Sequence, residues 1–181
     1  METILLINSI LLWVVVLFNL LISFRLIQIV APNVWAENAP KLKKGQIAPS
    51  FQVQTMDGLE VTLFSFRNHP VFLTFISLQC LACMQKLPEI QSASSLANQA
   101  GIKPVLICDT DQNRALALTK EFALSIPMYI ATRDNPLWKQ YKVGEVPFYC
   151  LIDEKGRVQD TGVLDSDLET MVKIWKINQL S

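Results

Sequence analysis

The chain has 181 residues and a formal net charge of zero, which leaves room for one domain and an appendage. Sixteen basic residues balance sixteen acidic ones, and we expect no nucleic-acid partner. Hydrophobic residues make up 51% of the chain, a high fraction for a soluble domain. With one histidine and four cysteines, the composition also leaves few ligands for a structural zinc site.

An uncharged run near the N-terminus explains this apolar composition. It extends over the 21 residues from Ile4 to Phe24 and ends at Arg25, a basic residue able to reach the headgroups of a bilayer. As a helix the run rises about 31 Å, enough to cross the hydrocarbon core. We therefore predict an uncleaved transmembrane anchor over residues 1–30. The alternatives are a buried core helix and a signal peptide cleaved near Val34-Trp35-Ala36, although no basic region precedes the run.

The chain after the anchor changes from irregular to periodic. Residues 31–44 contain two prolines and three lysines without a sustained period, which predicts a linker. A domain is predicted over residues 45–181, and it begins with a β-hairpin whose alternating arms flank the turn-forming pair Asp57-Gly58. Further strands are predicted at 71–76, 104–108, 127–130 and 148–152, and helices from residue 80 and at 111–124, 137–141 and 168–177. Alternating strands and helices predict an α/β sandwich around a central sheet.

Two cysteines spaced as CxxC, Cys80 and Cys83, follow the apolar strand at 71–76 and start the next helix. The unpaired N–H groups and positive dipole end of a helix N-terminus favour a thiolate, so this arrangement predicts a dithiol/disulfide redox site. We expect Cys80 to be the nucleophile and Cys83 to resolve the mixed disulfide, with no metal and no cofactor. Zinc is the alternative, but it needs four ligands, whereas Cys108 and Cys150 stand alone in apolar runs typical of a core.

Five motifs follow one another along the chain: Gly45–Phe51, the Asp57-Gly58 turn, the Cys80–Cys83 pair, Pro88, and Val143–Phe148. In this order they resemble the membrane-anchored, thioredoxin-like thiol–disulfide oxidoreductases of the TlpA/ResA type. The N-terminal segment is similar to that of MauD, an anchored redoxin needed for maturation of methylamine dehydrogenase. The resemblance implies a thioredoxin-like sandwich, in which helices flank a central mixed sheet with an N-terminal β-hairpin, preceded by one transmembrane helix.

The same resemblance implies further site residues. Pro147 is expected to be the cis-proline that faces the CxxC pair, and Val146 to present its backbone to an incoming peptide. Independently of the resemblance, Glu145, two residues before that proline, is a candidate proton acceptor for Cys83, and the alternative is a solvated loop residue.

Three positions depart from the pattern of the family. Gln79 stands where thioredoxins usually have Trp, and Thr74 replaces the buried acid of the preceding strand. Lys86 replaces the Glu that commonly follows the second cysteine by three residues. A positive charge in that turn would favour the thiolate if it faces the site.

The predicted function is therefore an enzyme, a membrane-tethered thiol–disulfide oxidoreductase that acts on a protein substrate. By resemblance it serves maturation of an extracytoplasmic protein of the methylamine dehydrogenase type, and a membrane electron-transfer partner recycles its dithiol. One alternative is a peroxiredoxin-like peroxidase with antioxidant activity, because the start Ala48-Pro49-Ser50-Phe51 is shared with that branch and Ser77 lies three residues before Cys80. The proline expected seven residues before Cys80 is, however, Leu73. A non-enzymatic assembly chaperone is the other alternative.

Two arguments conflict over the orientation of the chain. Lys41, Lys43 and Lys44 follow the anchor while Glu2 precedes it, and the positive-inside rule would then place the domain in the cytoplasm. A tethered dithiol is more useful where thiols are oxidised and substrates fold. We expect a single-pass membrane protein whose redoxin domain is extracytoplasmic.

Overall fold

The structure of the protein, a computed structural model, describes residues 2–37 and 41–164. In the N-terminal helix, side chains are described over residues 7–23 and at Arg25. The closing helix predicted at 168–177 lies outside the described residues. The chain divides into two compact units, Met1–Ala39 and Pro40–Ser181.

The first unit contains one helix, α1 (Glu2–Glu37). It continues through residues 31–37, where the sequence predicted part of the linker. The residues after Pro32 include good helix formers such as Ala36 and Glu37 and no glycine, so the helical hydrogen bonds can resume beyond the proline. No helix among the described residues is both long and apolar enough to cross a membrane.

The second unit is built on one mixed sheet. Its strands are β1 (Gln52–Thr55), β2 (Glu60–Thr62), β3 (Val71–Ser77), β4 (Lys103–Asp109), β5 (Met128–Ile130), β6 (Phe148–Ile152) and β7 (Val158–Val163). They lie in the order β2-β1-β5-β4-β3-β6-β7, with β3, β4 and β5 parallel and their other neighbours antiparallel. The helices are α2 (Leu81–Gln99), α3 (Gln112–Glu121) and α4 (Pro136–Gln140), and Leu63–Phe66 forms a 3₁₀ turn.

The predicted hairpin is confirmed. β1 and β2 pair antiparallel around a turn in which Gly58 has a φ of +78°, a left-handed conformation that glycine adopts without a steric penalty. β1 also pairs antiparallel with β5, so the hairpin extends the sheet beyond its parallel part.

The central strand β3 is buried along its whole length, which explains its continuous apolar sequence. Alternate side chains point to opposite faces of the sheet. Phe72 and Ile76 pack in one core cluster with α2, whereas Leu73 and Phe75 pack in the other, against Trp138 of α4. Burying each large side chain contributes about 1.5–3 kcal/mol, so the two clusters hold β3 and the start of α2 firmly in place.

The end of β3 is also the place where three other elements meet. α2 begins just after β3, and the parallel neighbour β4 ends at the same edge, with Ser77 opposite Asp109. β6 runs antiparallel to β3, with Phe148 opposite Phe75, so β6 begins at that edge. The sheet topology therefore brings the CxxC pair, the end of β4 and the residues just before β6 together.

Candidate active site

The first cysteine of the pair caps the helix that follows it. Cys80 is the N-cap of α2, and its Sγ accepts a hydrogen bond from the backbone N–H of Cys83 at 3.1 Å. The Cys80 N–H in turn donates to the Ser77 carbonyl at 3.1 Å, which closes the turn between β3 and α2. The sulfur thus lies at the positive end of the helix dipole with a donor aimed at it, an arrangement that favours the thiolate.

The segment before β6 lies beside this sulfur. The Val146–Pro147 peptide bond is cis, as the resemblance implies, and the Cys80 thiol donates to the Val146 carbonyl at 3.3 Å. A carbonyl acceptor stabilises the protonated thiol, whereas the Cys83 N–H stabilises the thiolate. The two contacts of the Cys80 sulfur therefore have opposite effects. These residues are 66 positions apart in the sequence, and the antiparallel pairing of β3 with β6 joins them.

The second cysteine has a different environment. Cys83 is fully buried, one helical turn inside the core cluster beneath α2. Burial raises the pKa of the Cys83 thiol to about 12; Cys80 and Cys108 add to this effect, and a backbone hydrogen bond from Ser77 opposes it. The exposed sulfur of the pair is therefore Cys80, since it is only half-buried and is followed by Leu81, whose side chain is 73% exposed. That Cys80 attacks first and Cys83 resolves stays a prediction.

The predicted charged residues lie further from the thiols. Among the described residues, Glu145 is half-buried and has no hydrogen bond to either thiol, so its role as proton acceptor stays a prediction. Lys86 lies 3.7 Å from Glu89 on the same helix, so its positive charge is partly compensated there. Thr74 is buried in β3, at the position of the acid found in thioredoxins.

Three polar residues at the same edge were not predicted as a group. Ser77 Oγ accepts the Gln79 N–H at 3.3 Å and lies 3.5 Å from Asp109 Oδ2, and the same carboxylate oxygen lies 3.4 Å from Arg133 Nε. The sequence did contain a signal for this contact, because Ser77 and Asp109 each come directly after a predicted apolar strand. Parallel neighbouring strands end at the same edge of a sheet, so the two side chains could have been expected to lie close together. The Ser77 hydroxyl contacts Asp109 and Gln79 rather than Cys80, which does not favour the peroxidase alternative.

The two remaining cysteines lie within strands. Cys108 and Cys150 are fully buried in β4 and β6, and burial raises the pKa of each thiol to about 12. Their burial agrees with their interpretation as core residues. His69 is exposed in the loop before β3. Over the described residues, no group of three or more His, Cys, Asp or Glu side chains could hold a metal ion.

Comparison with known proteins adds sequence relatives. Residues 44–161 match the AhpC/TSA family. The thiol-disulfide oxidoreductase ResA of Bacillus cereus is 26% identical over 120 residues, which cover 65% of this chain and 68% of ResA. The methylamine utilization protein MauD of Methylobacillus flagellatus is 27% identical over 124 residues, which cover 67% of this chain and 58% of MauD. These relatives confirm the predicted resemblance, and ResA carries the name of the predicted enzyme class.

Solved structures show the same fold. A thiol:disulfide interchange protein from Bacteroides sp. superposes with a TM-score of 0.68 at 18% identity, over 75% of this chain and 91% of that protein. This likeness confirms the thioredoxin-like α/β fold with its mixed sheet. With the family match extending over residues 44–161, the chain belongs to the AhpC/TSA family.

Proposed function

We propose that this protein is a membrane-tethered thiol–disulfide oxidoreductase that exchanges disulfides with protein substrates through Cys80 and Cys83. The observation that carries the proposal is the position of Cys80. Its sulfur caps α2, accepts the Cys83 N–H at 3.1 Å and lies 3.3 Å from the Val146 carbonyl, with the second thiol buried behind it. The relatives named thiol-disulfide oxidoreductase support the same activity.

The exchange proceeds in two balanced steps. The Cys80 thiolate attacks a substrate disulfide, a mixed disulfide forms, and one substrate sulfur leaves as a thiolate that takes up a proton. Cys83 then loses its proton and attacks the Cys80 sulfur, which releases the second substrate thiol and leaves a Cys80–Cys83 disulfide. The protein dithiol is oxidised by two electrons and the substrate disulfide is reduced, and the reverse sequence oxidises a substrate dithiol.

The raised pKa of Cys83 separates these two steps. Because burial holds this thiol protonated near neutral pH, Cys83 does not compete with Cys80 for the incoming substrate. Its attack needs a proton acceptor, and the departing substrate thiolate or Glu145 can serve as one. The half-buried Val146, whose carbonyl lies 3.3 Å from the Cys80 sulfur, would offer its backbone to an incoming extended peptide beside Cys80.

The tether and the substrate class rest on the sequence and its relatives. The uncharged run from Ile4 to Phe24 supports a membrane anchor. An extracytoplasmic domain is supported because a tethered dithiol is more useful in a compartment where thiols are oxidised and substrates fold. The similarity to MauD, a methylamine utilization protein, supports the role that the resemblance implies, in maturation of an extracytoplasmic protein of the methylamine dehydrogenase type. Turnover then requires a membrane partner that exchanges electrons with the Cys80–Cys83 pair.

Cysteine variants of the full chain, expressed in cells, test this proposal. Cys83→Ser should accumulate a mixed disulfide with substrate proteins, visible as a reductant-sensitive band, because the resolving thiol is absent. Cys80→Ser should form none, and Cys150→Ala is the matched control that should behave like the wild type. A membrane-impermeant maleimide, applied to intact spheroplasts, should label Cys80 before lysis if the domain is extracytoplasmic.

Three outcomes would contradict parts of the proposal. Equal function of both active-site variants would favour an assembly chaperone whose thiols are incidental. Peroxide consumption by the wild-type chain without any mixed disulfide would favour the peroxidase. Labelling of Cys80 only after lysis would place the domain in the cytoplasm.

A further inference from the structure

The polar contacts at the edge beside the CxxC pair form a connected set. Ser77 is the last residue of β3 and Asp109 the last residue of β4, and the two are direct partners in the parallel ladder. Asp109 Oδ2 lies 3.5 Å from Ser77 Oγ and 3.4 Å from Arg133 Nε. The hydroxyl, the carboxylate and the guanidinium are therefore linked in one row that begins three residues before Cys80.

Ser77 links this row to the turn before the redox pair through two groups. Its carbonyl accepts the Cys80 N–H at 3.1 Å, and its hydroxyl accepts the Gln79 N–H at 3.3 Å. A displacement of Ser77 would thus change the turn that holds Cys80.

The far end of the row is anchored in the core. The Arg133 guanidinium stacks 4.4 Å from the ring centroid of Trp138. The Trp138 indole N–H is itself held by the carbonyls of Ala131 and Thr132, each at 3.0 Å. Arg133 is therefore held near Asp109 by packing, in addition to its charge.

The degree of burial affects how strongly these charges interact with their surroundings. Ser77 is 6% exposed, the Asp109 side chain 21% and the Arg133 side chain 46%. Charges that are partly shielded from water act over longer distances than fully solvated ones. A carboxylate alone at this edge would disfavour a thiolate at Cys80, whereas a guanidinium alone would favour it. In the native chain the two charges oppose each other.

We infer that Ser77, Asp109 and Arg133 are positioning residues that hold the turn before Cys80 and balance the charge beside it, and that they thereby set the redox equilibrium of the Cys80–Cys83 pair. The inference rests on the proposed function, because it requires that this pair forms a disulfide. It assigns the role of tuning the pair to residues outside the CxxC sequence itself.

Two single variants separate a charge effect from a loss of structure. Asp109→Asn leaves the Arg133 charge uncompensated and should stabilise the reduced, thiolate-forming state. Arg133→Gln leaves Asp109 uncompensated and should favour the disulfide. We expect shifts of about two- to fivefold in opposite directions in the equilibrium constant of the full chain, in detergent, with glutathione. The same variants should respectively speed and slow alkylation of Cys80 at neutral pH.

Matched variants complete the experiment. Asp111→Asn is the control, because Asp111 also pairs with an arginine, Arg114, but caps α3 and does not contact Cys80 or Cys83. Asparagine is also a preferred N-cap residue, so this substitution preserves the cap. The double variant Asp109→Asn/Arg133→Gln removes both charges and should return the equilibrium constant to within about twofold of the wild-type value. Lys86 and Glu89 are unchanged throughout.

The outcomes distinguish the inference from the proposed function. Shifts of the same sign in both single variants, or no shift in either, would overturn the charge balance while the wild-type disulfide still supports the proposed function. A wild-type chain that forms no Cys80–Cys83 disulfide at any glutathione ratio would instead overturn the proposed function. Opposite shifts that cancel in the double variant would support the inference.

Discussion

The four cysteines lie in two regions, which place the same side chain in different environments. Cys80 and Cys83 lie at the start of α2, where the Cys80 sulfur receives a backbone N–H at 3.1 Å and reaches solvent. Cys108 and Cys150 lie inside β4 and β6, fully buried between neighbouring strands. A helix start offers unpaired donors to a sulfur, whereas a strand uses its donors in the sheet. The chemistry of each cysteine therefore follows from the element that carries it.

Cys83 shows that burial alone does not determine whether a cysteine can take part in disulfide exchange. Its thiol is as buried as that of Cys150, and burial raises the pKa of both to about 12. The difference is that Cys83 lies one helical turn from Cys80, so a disulfide or mixed disulfide at Cys80 is within its reach. Cys150 lies in a different core cluster, on the opposite face of the sheet.

The largest expected difference between the two regions is in thiol reactivity. In the reduced full chain, iodoacetamide should alkylate Cys80 on the order of a thousandfold faster than Cys108 or Cys150, because those thiols react only when the core opens. Mass spectrometry of digested samples over time measures the four rates separately. Comparable rates at Cys80 and Cys108 would show that the strand region opens far more readily than its packing indicates.

The second difference is in alkaline stability. The folded protein holds the protons of Cys83, Cys108 and Cys150 up to a pKa of about 12, whereas the unfolded chain releases them near 9.0. The folded state then binds more protons than the unfolded state, so stability is full below pH 9 and falls above it. At pH 10 we expect a loss of about 1 kcal/mol per thiol in urea unfolding.

Oxidation of the pair provides the control for this titration. With Cys80 and Cys83 joined in a disulfide, only the two strand thiols titrate, so the alkaline loss should shrink by about one third. An equal loss in both redox states would mean that Cys83 does not contribute and that its thiol is less buried than described.

The smallest expected difference is in tolerance to substitution. Cys150→Ser buries a hydroxyl in an apolar strand and should lower the free energy of unfolding by about 1–3 kcal/mol. Cys80→Ser should change it by less than about 0.5 kcal/mol, because serine is a preferred N-cap residue. Urea unfolding followed by near-UV circular dichroism compares the two. A larger effect at residue 80 would show that the sulfur contributes to folding beyond its role as a cap.

Local signals predicted much of the fold and the centre of the site. The alternation around Gly58 predicted the hairpin, and the apolar run before Cys80 predicted a central strand followed by a helix. The cis bond before Pro147 was implied by the resemblance to redoxins, since local sequence does not distinguish the cis from the trans isomer. The hairpin and the strand followed by a helix depend on short stretches of chain, whereas the cis bond does not.

The missed features depend on register between distant segments. The contact of Ser77 with Asp109 requires that β3 and β4 pair with these residues opposite each other, and a shift of one residue would turn one of the side chains to the other face. The partner of Asp109, Arg133, comes from a third segment, just before α4. The helical extension of α1 beyond residue 30 was also missed, because Pro32 indicates a break in a pattern that the backbone continues.

The placement of the hairpin has a consequence for how this protein meets other chains. Without it, β5 would be an open edge with unpaired backbone groups, able to recruit a strand from any partly folded protein nearby. β1 covers that edge, and the new edge is β2, only three residues long and carrying Glu60 and Thr62 on its exposed side. At this edge the protein therefore presents little backbone to which a strand of another polypeptide could add.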